Sequence, residues 1–390
     1  MKIKIKAILL IFMSLIIASM SVVGAFSLSL SSPWIQKDAP TDHLYSFVLV
    51  GDTQMLTLND SKYNTNYLSH IYDWIVNNKE ERKIEYVFGL GDITDKNSDS
   101  EWDIAKTQIN KLNGVVPYSL VRGNHDGSAS FNKNFNNDTY RSQFQGFYDN
   151  TINNSYRKFS VGGDDYLFIN LDYGANDAIL KWASNIISRN PDRRVIISTH
   201  AYLFSTGSAL DDVTSSFATP MDNTGKDMWD KLISKYENIF MVISGHVGVD
   251  GPVINVRRAK NNNHVIQVLV DPQNADENNI AHGGFVSIVN FYEDETKLTF
   301  EYYSTIKKAY YKESNQFKLT IPAKRAKTTA EATTAATEAT ETAAVEFTEA
   351  VTAEAEESRG CSSAISFALV TLPAVCAGLA AFTQRKRERE

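Results

Sequence analysis

Five apolar runs in this chain each end on a polar residue of one narrow chemical kind. Phe47-Val48-Leu49-Val50 runs into Gly51-Asp52-Thr53-Gln54, and Tyr86-Val87-Phe88-Gly89-Leu90 into Gly91-Asp92-Ile93-Thr94-Asp95. Val115 to Leu120 leads into Val121-Arg122-Gly123-Asn124-His125-Asp126, Val195 to Thr199 ends at His200, and Ile239 to Gly245 ends at His246. Such runs read as strands buried on both faces, and open α/β sheets meet their ligands just past the carboxyl ends of such strands. Helical periods lie between the first runs: Tyr63, Leu68, Ile71, Tyr72 and Ile75, then Trp102, Ile104, Ala105, Ile109 and Leu112. Strand, helix, strand with short connections predicts parallel pairing through right-handed crossovers, so the polar residues should gather along one edge.

Farther along, Tyr166 to Asp172 reads as another strand, and helices are expected near 176–188 and 226–236. The close-spaced strands at Val253–Val256, His264–Val270, Phe285–Phe291 and Lys297–Tyr303 have no helices between them, which predicts an antiparallel second sheet finishing the domain. Asn132 to Tyr156 has no sustained period and reads as a long surface excursion lining a substrate cleft. His43 reads as a surface residue.

The two ends have other jobs. Lys2, Lys4 and Lys6, the apolar Ala7 to Ile17 and the small residues Val23-Gly24-Ala25 form the pattern of a secretory signal over 1–25. Residues 361–383 carry no charge and precede Arg385-Lys386-Arg387, as expected of a transmembrane helix with a basic cytoplasmic tail at 384–390. Residues 327–358 are nearly all Ala, Thr and Glu and read as a stalk, because they lack the apolar surface to offset the entropy of ordering. The head at 41–321 should therefore be held outside the cell membrane by a single C-terminal span. Both cysteines, Cys361 and Cys376, lie in that span, so no disulfide can staple the head and no thiolate can ligate a metal there. A formal net charge of -7 opposes a broad phosphate-binding face, so no stable nucleic-acid complex is expected.

Asp52, Asp92, Asn124, His200 and His246 offer oxygen and imidazole donors without sulfur, a set suited to Mn, Fe, Zn or Mg. One carboxylate, most simply Asp92, would bridge two divalent ions about 3.5–4 Å apart, the spacing that serves an in-line displacement. His125 is placed to protonate a leaving group, with Asp126 orienting it. Arg122 is a candidate phosphate clamp, or else the partner of a nearby carboxylate.

Asp52-Thr53-Gln54, Gly91-Asp92-Ile93-Thr94-Asp95, Gly123-Asn124-His125-Asp126, His200 and Gly245-His246 stand in the order and spacing of the calcineurin-like metallophosphoesterases, which the chain resembles from about Phe47 to Tyr303. The resemblance implies an α/β fold, a two-sheet α/β/β/α sandwich, and a dinuclear centre that hydrolyses small-molecule or polymeric phosphate esters. Carried over by position, Asp92 bridges the ions, Asn124, His200 and His246 complete one site, and Asn124 also meets substrate. Asp52 and Gln54 serve the other site, and His125 is the acid. Asp95 organises its loop by hydrogen bonds.

Two positions depart from the family pattern, Gln54 in place of the histidine of Asp-x-His and Gly248 in place of the second histidine of Gly-His-x-His. Both losses fall on the same site. Asp250 is either a substitute ligand or an ordinary turn residue, and Asp271-Pro272-Gln273 with His282-Gly283-Gly284 either lines the cleft or makes a plain turn. The competing function is a degenerate member that binds phosphorylated ligands without turnover.

Overall fold

A computed structural model describes residues 32–58, 66–211, 221–274 and 284–321. The expected signal, stalk, membrane span and basic tail lie outside those residues, as do His282 and Gly283. Among the described residues no helix is long and apolar enough to cross a membrane.

The first half contains β1 (Trp34–Ile35), β2 (Tyr45–Val50), α1 (Gln54–Thr57), α2 (Asn66–Asn77), β3 (Ile84–Gly89), α3 (Asp99–Ile109) and β4 (Tyr118–Leu120). It continues through α4 (Ser128–Phe135), α5 (Asp138–Arg141), β5 (Gly146–Phe147), β6 (Ser155–Val161) and β7 (Asp164–Asn170). Then come α6 (Asp177–Ser188), β8 (Arg194–Ala201), α7 (Gly225–Lys231), β9 (Ile239–Gly245), β10 (Val253–Arg258) and β11 (His264–Leu269). The chain closes with β12 (Phe285–Phe291), β13 (Lys297–Ser304), β14 (Ala309–Tyr311) and β15 (Phe317–Thr320).

These strands form two mixed sheets. The first has the order β1-β14-β13-β12-β2-β3-β4, with β15 also on β13, and the second runs β10-β11-β9-β8-β7-β6-β5. Alternation along each strand builds three apolar layers. On β2, Phe47 and Leu49 point inward to meet Phe168, Ile196 and Ile243 of the other sheet, while Val48 and Val50 point outward to Leu68, Ile71 and Trp102 on α2 and α3. The outer face of the second sheet packs on Ile179, Leu180, Met228 and Trp229 of α6 and α7. The molecule is an α/β sandwich with helices outside both sheets.

β2, β3 and β4 are parallel, as are β7, β8, β9 and β11. The last four long strands do not form a sheet of their own. β11 lies parallel to β9, with β10 on its far side, whereas β12 crosses back to pair antiparallel with β2 and carries β13 with it. A two-residue period shows that a strand has faces, but not which sheet receives them, and β2 had a free edge opposite β3.

The stretch from Asn132 to Tyr156 is likewise not a surface excursion. Phe135, Tyr140, Phe144 and Ile152 are buried against the first sheet's outer layer. Tyr140 Oη accepts from Leu120 N at 2.8 Å and Gln143 Oε1 from Tyr118 N at 3.1 Å, so this segment satisfies the backbone of the edge strand β4. His43 is buried as well, its Nε2 2.9 Å from the Arg82 carbonyl oxygen.

Candidate metal centre

Three site residues have left-handed backbones at the ends of their strands: Asp52 (φ 48°), Asp92 (φ 46°) and His246 (φ 78°). Outside glycine that region is sparsely populated, and such strain persists where surrounding bonds impose it. Here the bonds are on hand. Asp52 Oδ1 accepts from His246 N at 3.0 Å, and Asp92 Oδ1 from His125 N at 3.1 Å. The glycines preceding Asn124 and His246 make room for those carboxylates. A Cβ on Gly123 would sit 2.1 Å from Asp92 Oδ1, and one on Gly245 would sit 2.1 Å from Asp52 Oδ2.

The donors then converge from both sheets. His200 Nε2 lies 3.3 Å from Asp92 Oδ1, 3.0 Å from Asn124 Oδ1 and 3.2 Å from His246 Nδ1. Ligand atoms of Asp92, His200 and His246 all fall within 4.8 Å of one another. The other ring nitrogen, His200 Nδ1, is 2.8 Å from the Leu90 carbonyl oxygen. A proton on Nδ1 satisfies that carbonyl and leaves the Nε2 lone pair facing Asp92 and His246, the arrangement of a ligating imidazole. Gln54 Nε2 donates to Asp92 Oδ2 at 3.2 Å, which places the first block's departure against the same carboxylate.

The electrostatics call for positive charge. Burial raises the Asp92 pKa, but His200 and the His125 amide outweigh it and the net direction is down. Burial lowers that of His200, yet Asp92 reverses the direction and holds it up. Asp52 is pushed well above the usual carboxylate range by burial first and then by Asp271 and Asp92. A divalent cation would offset all three carboxylates at once. The residues present fit such an ion: Asp92, Asn124, His200 and His246 form a mixed oxygen and imidazole set, and Asp52 Oδ2 and Gln54 Oε1 are buried acceptors that meet no donor among the described residues.

A sequence profile of the calcineurin-like phosphoesterases matches residues 45–250, more than half of the 390-residue chain. The chain belongs to that family. It is 30% identical over 221 residues to the uncharacterized protein YvnB of Bacillus subtilis, covering 53% of this chain and 16% of that protein. It is 24% identical over 210 residues to a probable glycerophosphodiester phosphodiesterase, GpdQ, of Arcobacter nitrofigilis, covering 51% of this chain and 70% of that one. The chain thus spans about a sixth of the length of the first of these relatives. Among solved structures, a dimetal phosphatase from Danio rerio superposes with a TM-score of 0.47 at 14% identity, covering 68% of this chain and 97% of that one.

Within this phosphoesterase framework several residues take roles other than those expected. Asp126 does not hold the His125 ring. It is buried, and its two oxygens accept from Ile93 N, Thr94 N, Thr94 Oγ1 and Gly123 N at 2.9–3.0 Å, tying the second and third blocks together. The ring is held by Asp95 instead. His125 Nδ1 is 2.8 Å from the Asp95 carbonyl oxygen and 3.6 Å from its carboxylate, while Nε2 stands 4.0 Å from Asp92 Oδ2. Glu101, at the capping box of α3, in turn accepts from Asp95 N and Lys96 N.

Arg122 is engaged rather than offered to a phosphate: Nε pairs with Asp172 at 2.7 Å and Nη1 donates to the Asp126 carbonyl at 2.9 Å. Asp250 is ion-paired with Lys312 on a half-exposed side chain. Asp271, expected either to line the cleft or to make a plain turn, follows Val265 to Val270, a sixth apolar run ending on an acid. It is buried beside Asp52.

Proposed function

We propose that this protein is a metal-dependent phosphoesterase that hydrolyses phosphomonoesters or phosphodiesters outside the cell, held to the membrane by residues 361–383. The observation that carries the catalytic reading is the meeting of Asp92, Asn124, His200 and His246 around one point at the carboxyl edges of both sheets. Asp92, Asn124, His200 and His246 would hold one divalent ion, and Asp92, Asp52 and Gln54 a second. Bound divalent ions supply Lewis acidity toward a phosphate ester and lower the pKa of water.

The chain's own residues supply the rest. His125 is partly exposed at the rim of the cluster, its side chain 39% accessible. With Nδ1 anchored on Asp95, Nε2 is the nitrogen left to deliver a proton to a departing alkoxide, which makes His125 the general acid. Asn124 serves as ligand and as a contact to the ester. Asp126 positions both blocks from behind, and Arg122, paired with Asp172, stiffens the Gly123 to Asp126 turn. The localisation rests on sequence: the charged and apolar pattern of residues 1–25, the uncharged 361–383 and the basic tail.

The test is metal analysis of the purified protein, then turnover of aryl phosphate mono- and diesters with Mn, Fe, Zn and Mg, beside protease shaving of intact cells. Retained divalent metal with ester turnover supports the reading. Gln54 and Gly248 favour one rival, a binding protein without turnover, and metal and phosphate-ligand binding with no hydrolysis under any ion would establish it instead. Protection of the head from external protease would overturn the localisation.

A further inference from the structure

The second ion's position has lost two imidazoles, yet the fold has brought a carboxylate there from the far end of the domain. β11 ends at Leu269, and Val270 N still donates to Ser244 O at 2.8 Å, so Asp271 emerges at the same edge as His246. Gly51 lets the two sheets touch at this point: a Cβ there would lie 2.0 Å from the Val270 carbonyl oxygen. Asp52, next in the chain, is thereby set against Asp271.

Asp271 also lies beside the turn that has lost a ligand. Its carbonyl accepts from Val249 N at 2.9 Å, the residue following Gly248. Asp271 and Asp52 are each 1% exposed, and Gln54 is 2% exposed. Asp271 Oδ1 accepts from Gln273 N at 3.0 Å, but among the described residues, with the carboxylates ionised, Oδ2 meets no donor, and neither do Asp52 Oδ2 and Gln54 Oε1. The two carboxyls meet directly, in a hydrogen bond that exists only while one of them carries a proton; with both ionised the pair has two acceptors and no donor. Burying several unpaired oxygens together is costly unless a cation is to be shared by them.

We propose that Asp271 is a ligand of the second metal ion, which it shares with Asp52, Gln54 and the bridging Asp92 to make an oxygen-only position beside the imidazole-rich one. Such a donor set suits hard ions such as Mn2+ or Mg2+, whereas the His200 and His246 position suits Zn2+ or Fe as well. The extra carboxylate replaces imidazole affinity with charge. It also makes the two positions chemically unequal.

This inference rests on the dinuclear reading above, and the experiment keeps the two apart. Metal-free full-length protein is titrated with Mn2+ by calorimetry and by electron paramagnetic resonance, as the unaltered chain, as Asp271→Asn and as His200→Asn. Two ions in the unaltered chain with a spin-coupled signal, falling to one uncoupled ion in Asp271→Asn with Zn2+ uptake at the other position unchanged, is the expected result. Two coupled ions of unchanged affinity in Asp271→Asn would overturn the assignment and leave the phosphoesterase reading standing. No ion in the unaltered chain would overturn both. Should Asp271→Asn fail to fold, a crystal of the unaltered protein grown with Mn2+ decides. An anomalous peak about 2.1–2.4 Å from an Asp271 carboxylate oxygen supports the proposal, and a peak without Asp271 around it refutes it.

Discussion

Replacing Asp126 by Asn separates a structural from a catalytic role for this residue. The carboxylate accepts four hydrogen bonds, two per oxygen, at 1% exposure. An amide keeps one acceptor oxygen. With that oxygen toward Thr94, the new NH2 group faces the Ile93 and Gly123 amides, leaving two buried donors unsatisfied and pressed against a third. Each orphaned buried donor costs about 1–3 kcal/mol. Burial pushes the Asp126 carboxyl up, so exchanging it for a neutral group recovers part of that, and a net loss of about 2–4 kcal/mol is expected. That is a large share of a typical stability of about 5–15 kcal/mol. Urea unfolding of Asp126→Asn and the unaltered protein in excess EDTA, so that bound metal does not add to stability, should show a lower midpoint at unchanged slope. A variant within about 0.5 kcal/mol of the original would refute the reasoning. If turnover then also collapsed, Asp126 would be acting on His125 after all.

His125→Ala should lower kcat by about 10²–10³-fold while leaving metal content and unfolding midpoint in place, because among the described residues the ring contacts Asp95 and the rim of the cluster; equal turnover on a poor leaving group would remove it from the mechanism. Gly245→Ala forces a methyl 2.1 Å from Asp52 Oδ2, so it should cost about 1–3 kcal/mol and weaken metal retention, as metal analysis after dialysis would reveal. Burial pushes the Tyr86 phenol up to about 12, against about 10 in the unfolded chain. Between those values the unfolded state ionises first and binds fewer protons, so stability should fall with rising pH by about 2–3 kcal/mol. Tyr86→Phe should move the alkaline unfolding midpoint upward, and an unmoved midpoint would count against that account.

Much of the site was legible before any coordinates, because its residues are defined by local pattern. An apolar run followed by Asp, Asn or His says that a buried strand ends there, and that statement needs only the run itself. That pattern puts Asp52, Asp92, Asn124, His200 and His246 at or just past strand ends, and they stand there in the fold. The roles of Asp126 and Asp95 were not legible, since a carboxylate's partners depend on which loop amides turn toward it. Asp126 beside His125 in sequence turned away to the Gly91 to Thr94 loop, and Asp95, thirty residues earlier, took up the ring.

Strand allocation shows the same division on a larger scale. Alternation in Phe285 to Phe291 and in His264 to Val270 marks two faces on each strand, which the chain determines by itself. Only packing decided that the first would close on β2 while the second slid in beside β9, since a strand's faces are equally apolar to either sheet. That choice sets Asp271 against Asp52, 219 positions apart (271 − 52). Residue type and spacing determined which groups stand at strand ends; the contact between the two sheets, made through a side-chain-free Gly51, determined which of them face one another.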